Sequence, residues 1–135
     1  MILNIDCFKD TLSYIIEHQT LNDNQELNKI SLNELYNCKE LEIYNKNDIY
    51  YALYNLTDIG YIDLPYNQLK NKRILFDINN VTMTGHNFYY GSKNPERWQE
   101  LKDNAMGIGM STLEFVTKSI QENAITNTVT EYKKE

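Results

Sequence analysis

Two cysteines, two prolines, five glycines, two histidines and one tryptophan among 135 residues leave little material for several kinds of chemistry. Cys7 and Cys38 stand far apart with no C-x-x-C spacing, which excludes a disulfide framework or a zinc ribbon and leaves two reduced thiols acting as small buried hydrophobes. No apolar run approaches the roughly 18 residues of a membrane span. The opening "MILNIDCFKD" carries no basic region ahead of its apolar residues, so neither a signal peptide nor a membrane span is expected and the chain reads as cytoplasmic. Basic residues are outnumbered as well: thirteen Lys and Arg against nineteen Asp and Glu give a net charge of -6, and the molecule as a whole repels phosphate backbones and anionic lipid.

Catalytic signatures are missing too. "MGIGMST" holds Gly107 and Gly109, but no third glycine at the dinucleotide spacing and no Gly-Lys-Ser phosphate cradle. There is no Gly-x-Ser-x-Gly elbow, no His-Glu-x-x-His pair and no cluster of acid-base carboxylates. His18 and His86 have no Cys or carboxylate at a ligand spacing. No enzyme activity, cofactor or metal is therefore expected.

What is present is a succession of helix signals. Phe8, Leu12, Ile15 and Ile16 recur on one helical face over residues 6–19, with Asp6 placed to cap the first turn. After the polar, turn-rich "LNDNQELN", "SLNELYN" offers Ser31 and Glu34 as a capping box for a short second helix. "NKNDIYYALYNLTDIGYI" then sets Ile49, Leu53, Leu56 and Ile59 on one face and closes on Gly60, which tolerates the left-handed conformation that stops a helix. Beyond it, "YIDLPYNQ" and "RILFDINNV" read as strands joined by the turn "LKNK".

Three helices leading directly into a hairpin is the order of a winged helix-turn-helix. The expected fold is thus α+β, mainly α: a winged helix-turn-helix over about residues 6–81, extended by C-terminal helices over about 82–124 and a polar tail at 125–135, in one domain. Within the extension, Thr82 or Thr84 is placed to cap a helix through "GHNFYY". Asn94 caps another that begins with Pro95, and Ser111 with Glu114 opens a last one.

The runs "DIYYALYNLTDIGYI", "VTMTGHNFYYGSKNPERW" and "GIGMSTLEFVTKSI", spanning about Asp48 to Ile120, resemble a bacteriophage and prophage family of small proteins catalogued as a domain of unknown function and described as winged-helix-like. Its pattern of a threonine or leucine, two residues, Gly-His-x-Phe and a later tryptophan corresponds here to Thr82, Gly85, His86, Phe88 and Trp98. The resemblance implies a phage origin and carries no activity with it. Read from spacing, His86, Phe88 and Trp98 form a structural aromatic cluster that holds the C-terminal helices against the hairpin.

Two surfaces are candidates for binding. Removing the apolar face of the third helix leaves Asn47, Asp48, Tyr51, Tyr54, Asn55 and Asp58 outward, with Lys46 the sole cation at its start. Tyr51, Tyr54, Asn55 and Asp58 suit a protein partner, since tyrosine offers a large contact area at low entropic cost and keeps a hydroxyl for hydrogen bonding. Lys70, Lys72 and Arg73 at the hairpin tip, together with Lys46, would instead grip a nucleic-acid backbone. The first reading gives a non-enzymatic phage accessory protein that binds a host protein or nucleoprotein complex and inhibits a defence nuclease in the manner of anti-CRISPR proteins. The second gives a winged-helix, DNA-binding transcriptional regulator of a phage. Either would act in the host cytoplasm without a membrane, and a homodimer stays open in both.

Overall fold

The structure, a computed structural model, describes residues 2–63 and 80–107. They fall in two compact units divided between Thr82 and Met83. Five α-helices and a two-stranded antiparallel sheet make the described chain α+β and mainly α.

In the first unit, α1 (Ile5–His18) starts one residue earlier than its apolar pattern suggested. Its cap is Asn4, not Asp6: the Asn4 backbone is extended, and its side chain accepts a hydrogen bond from the Cys7 N–H at 3.0 Å. Asp6 lies inside the first turn, where its charge meets the positive end of the helix dipole. α1 buries Cys7, Phe8, Thr11, Leu12, Tyr14 and Ile15, while Ile16 sits at the margin. The following turn folds back as a narrow ladder in which the Asn28 N–H reaches the Thr20 carbonyl and Leu21 pairs with Leu27.

Ser31 caps α2 (Leu32–Asn37) by accepting from the Glu34 N–H at 3.0 Å. The Glu34 carboxylate takes part in a longer-range bond, accepting the Tyr14 hydroxyl of α1 at 2.7 Å. A single 3₁₀ turn, Lys39–Leu41, follows and buries Leu41. Nearby, Tyr44 donates its hydroxyl to Asp10 at 2.5 Å. Two phenol-to-carboxylate bonds thus brace α1 against the segment that carries α2 and the 3₁₀ turn. Desolvation and the carboxylate beside each ring push the Tyr14 and Tyr44 hydroxyls well above their ordinary pKa, so both remain donors at neutral pH.

α3 (Lys46–Asp58) is capped by Asn45, packs on α1 and buries Ile49, Ala52, Leu53 and Leu56. Burying each of these aliphatic side chains contributes about 1.5–3 kcal/mol, less for alanine. Its end is a Schellman turn: Gly60 at φ +81° donates to the Thr57 carbonyl, and the Tyr61 N–H reaches back to Leu56 at 2.8 Å. The turn drops the Tyr61 ring into the core, edge-on to Phe8 with centroids 5.9 Å apart.

β1 (Ile62–Asp63) then pairs antiparallel with β2 (Asn80–Val81), Ile62 opposite Val81 and Asp63 opposite Asn80. The apolar pair is buried and the polar pair exposed, the two-residue alternation of a half-covered sheet. Thr82 fixes the exit: its N–H donates to the Tyr61 carbonyl at 2.9 Å and its hydroxyl to Gly60 at 2.6 Å.

In the second unit, α4 (Met83–Ser92) and α5 (Pro95–Gly107) form a helical pair. Asn94 caps α5 by accepting from the Arg97 N–H at 3.0 Å, and Pro95 occupies the first helical position, where a missing N–H costs little. α5 runs through Gly107, within the "MGIGM" stretch read as a break. The helix expected to open at Ser111 lies outside the described residues.

Candidate functional site

α3 presents two tyrosine rings side by side on its outer stripe. At 100° per residue, Asn47, Tyr51, Tyr54 and Asp58 share one stripe opposite Ile49, Leu53 and Leu56. Tyr51 is half-buried and Tyr54 is 40 % exposed, and their rings run nearly parallel with centroids 6.4 Å apart. Asn47 and Asp58 are exposed at either end of the stripe. The outward reading of Asn55 is corrected: only 4 % of it is exposed. It lies at the edge of the stripe toward Ala52 and Leu56, and its side-chain amide donates back to the Tyr51 carbonyl at 2.8 Å. An amide that satisfies a donor within its own helix can be covered without a partner, so Asn55 belongs to the support of the face.

Lys46 is exposed, and its ammonium lies over the Tyr36 ring of α2 at 5.6 Å from the centroid. It borders the face rather than reaching out from it. Lys70, Lys72 and Arg73 lie outside the described residues.

His86, Phe88 and Trp98 are not brought together as one cluster. Phe88 and Trp98 are buried and meet edge-on at 6.0 Å between centroids. His86 is half-buried on α4, two residues from Phe88, and side chains two apart on a helix point about 200° from each other. The two rings are buried together, and His86 lies on a different face of α4.

Sequence reading passed over a second feature. Asp10, Ser13, Tyr14, Glu17 and His18 of α1 line an open cleft of about 330 Å³ with Glu40 of the 3₁₀ turn. The His18 ring stacks on Tyr14 at 4.1 Å, its Nδ1 lies 3.0 Å from the Tyr14 carbonyl and its Nε2 lies 3.4 Å from Glu40. The spacing of Asp10, Tyr14, Glu17 and His18 along one helical face was a signal in the sequence, but nothing local announced Glu40. Two of the three carboxylates here are occupied: Asp10 takes Lys9 and Tyr44, and Glu40 faces His18, while Glu17 is exposed. This geometry serves to brace α1. Among the described residues no group of His, Cys, Asp and Glu is arranged to hold a metal ion.

The thiols are held in their neutral form. Burial pushes Cys7 up to about 12, and Cys38 is also raised by desolvation. A nucleophilic cysteine needs the opposite shift. No described helix is long and apolar enough to cross a membrane.

In comparison with known proteins, the family model described as "Hypothetical protein (DUF2513)" matches residues 3–111, taking in every described helix and strand. No curated protein and no solved structure matches the chain.

Proposed function

We propose that this chain, which belongs to the DUF2513 family of hypothetical proteins, is a non-enzymatic binding protein that docks a protein partner on the outer face of α3. In its finer form the reading is a phage accessory protein that engages a host protein or nucleoprotein complex and blocks a defence nuclease in the manner of anti-CRISPR proteins. The observation that carries the docking reading is the parallel pair of half-buried Tyr51 and exposed Tyr54 on a stripe that ends in Asn47 and Asp58. Preordered tyrosines lose little side-chain entropy on binding and supply the amphipathic contact area found at interface centres. The phage assignment draws on the sequence resemblance.

A second reading has its own support. α1, α2 and α3 followed by an antiparallel strand pair is the order of a winged helix-turn-helix, with α3 in the position that enters the DNA groove in a transcriptional regulator. Electrostatics oppose it for α3. Residues 2–63 hold eleven Asp and Glu against four Lys, a balance of -7, and Asp58 lies on the stripe that would face phosphates.

One substitution separates the two readings. In a protein docking face, Tyr51→Ala with Asp58→Lys removes partner capture while the circular dichroism spectrum stays unchanged. In a DNA reader, Asp58→Lys strengthens non-specific DNA binding in a mobility-shift assay. A photoreactive amino acid at position 54 locates the contact: it should cross-link a host protein in nuclease-treated lysate, and the same group at exposed position 26 should not. Equal cross-linking at both positions would remove the α3 face from consideration.

A further inference from the structure

Asp58 occupies an unfavourable place for the stability of its own helix. It lies in the last turn of α3, where the backbone carbonyls form the negative end of the helix dipole, and that turn contains no basic residue. Among the described residues Asp58 has no ion-pair partner. One turn earlier on the same stripe stands the exposed ring of Tyr54.

Elsewhere the chain seats its own cations on exposed or half-exposed tyrosines. Lys46 lies over Tyr36, and Lys93 lies over Tyr89 and Tyr90 at 5.8 and 5.5 Å from the ring centroids. Among the described residues no cation lies over Tyr51 or Tyr54. The C-terminal half of the α3 stripe therefore combines an exposed tyrosine ring, a carboxylate with no counter-charge among the described residues and the negative end of a helix.

We infer that this end of α3 receives an arginine side chain of a basic protein partner, the guanidinium stacking on Tyr54 and donating to the Asp58 carboxylate. The inference rests on the docking reading above and specifies the chemistry of the partner. Arginine fits better than lysine because its planar, weakly hydrated fork can lie flat on a ring and present paired N–H donors to a carboxylate at its edge, whereas an ammonium is a hydrated point charge. The balance of -7 over residues 2–63 favours the same class of partner, a surface rich in positive charge.

Calorimetric titration of the full chain with nona-arginine and nona-lysine peptides at physiological salt tests it. Nona-arginine should bind roughly two- to five-fold more tightly than nona-lysine, the range expected of one exposed cation–π contact. Tyr54→Leu should abolish that preference and Tyr54→Phe should keep it. Asp58→Asn should weaken both peptides and raise the thermal midpoint, since it removes a charge that opposes the helix dipole. Asp23→Asn, an exposed carboxylate in the turn between α1 and α2, should leave the titrations unchanged. Equal affinity for the two peptides would overturn the inference, as would an Asp23→Asn loss matching that of Asp58→Asn, because either result signifies diffuse attraction to an acidic protein. Should the peptides fail while position 54 still cross-links a host protein, docking on α3 stands and the arginine assignment falls. Should the arginine preference hold while no cross-link forms, the arginine site stands and the host-protein reading falls.

Discussion

Gly60→Ala isolates the conformational cost of the turn that ends α3. Gly60 is the described glycine with a positive φ, +81°, and a Cβ built on it would meet nothing within 4 Å. No steric collision enters the balance. What remains is the strain of an L-residue in the left-handed region, about 1–2 kcal/mol, offset by the lower entropy that alanine gives the unfolded chain, about 0.4–1 kcal/mol. A net loss of about 1 kcal/mol is expected, which for a chain of this size lowers the melting midpoint by about 3–5 °C. Gly60→Asn should lose less, because asparagine visits the left-handed region more readily. Urea titration followed by circular dichroism measures both, and the helical signal before the transition should be unchanged because the hydrogen bonds from residues 60 and 61 to Thr57 and Leu56 survive the substitution. An alanine variant as stable as the parent would refute the left-handed turn. A loss above about 3 kcal/mol would refute the open space around it.

Alkaline pH should destabilise the first unit, because Cys7 rises from 9.0 and Tyr61 from 10.0, each to about 12. These groups contribute stability that is fully present below the unfolded values and is lost as pH climbs toward 12, at no more than about 1.4 kcal/mol per pH unit for each, and Cys7→Ala should flatten the decline in urea midpoint from pH 9 upward. In the second unit Phe88→Ala should cost about 3–5 kcal/mol through cavity formation, while half-buried His86→Ala should cost about 1 kcal/mol or less and leave binding intact. Loss of partner capture by His86→Ala at unchanged melting midpoint would make that histidine a contact residue. If the chain binds DNA through Lys70, Lys72 and Arg73, replacing all three by alanine should flatten the salt dependence of affinity by up to about three units in a log–log plot. Salt-independent DNA binding would contradict that reading.

Local chemistry wrote much of this architecture directly into the sequence. Ser31, Asn94 with Pro95, and Gly60 act within one turn of themselves, through a side-chain oxygen, a missing N–H and a missing Cβ, and each does in the structure what its type and position imply. The apolar stripes of α1 and α3 were legible for the same reason, since a helical period of 3.6 residues is a property of the chain alone. The cap of α1 was less so: Asn4 and Asp6 are both good cap formers, and the choice fell to the backbone entering the helix.

What the sequence could not decide were contacts between residues distant along the chain. Glu34 has the spacing of a capping box, yet its carboxylate accepts from Tyr14, twenty residues away, and Glu40 meets His18 across the same packing of α1 on the 3₁₀ turn. Asn55 is polar and next to an exposed stripe, so hydropathy alone turned it outward. Its burial follows from the packing around α3 together with a bond to its own helix, which removes the penalty for covering the amide. His86 reads as a partner of Phe88 and Trp98 when only spacing is considered, but the direction of each side chain around α4 separates it from the ring pair. Caps, turns and stripes depend on neighbours within about four residues and are encoded where they occur. Burial, ion pairs and aromatic clusters depend on which faces meet, and that is set only when the helices pack.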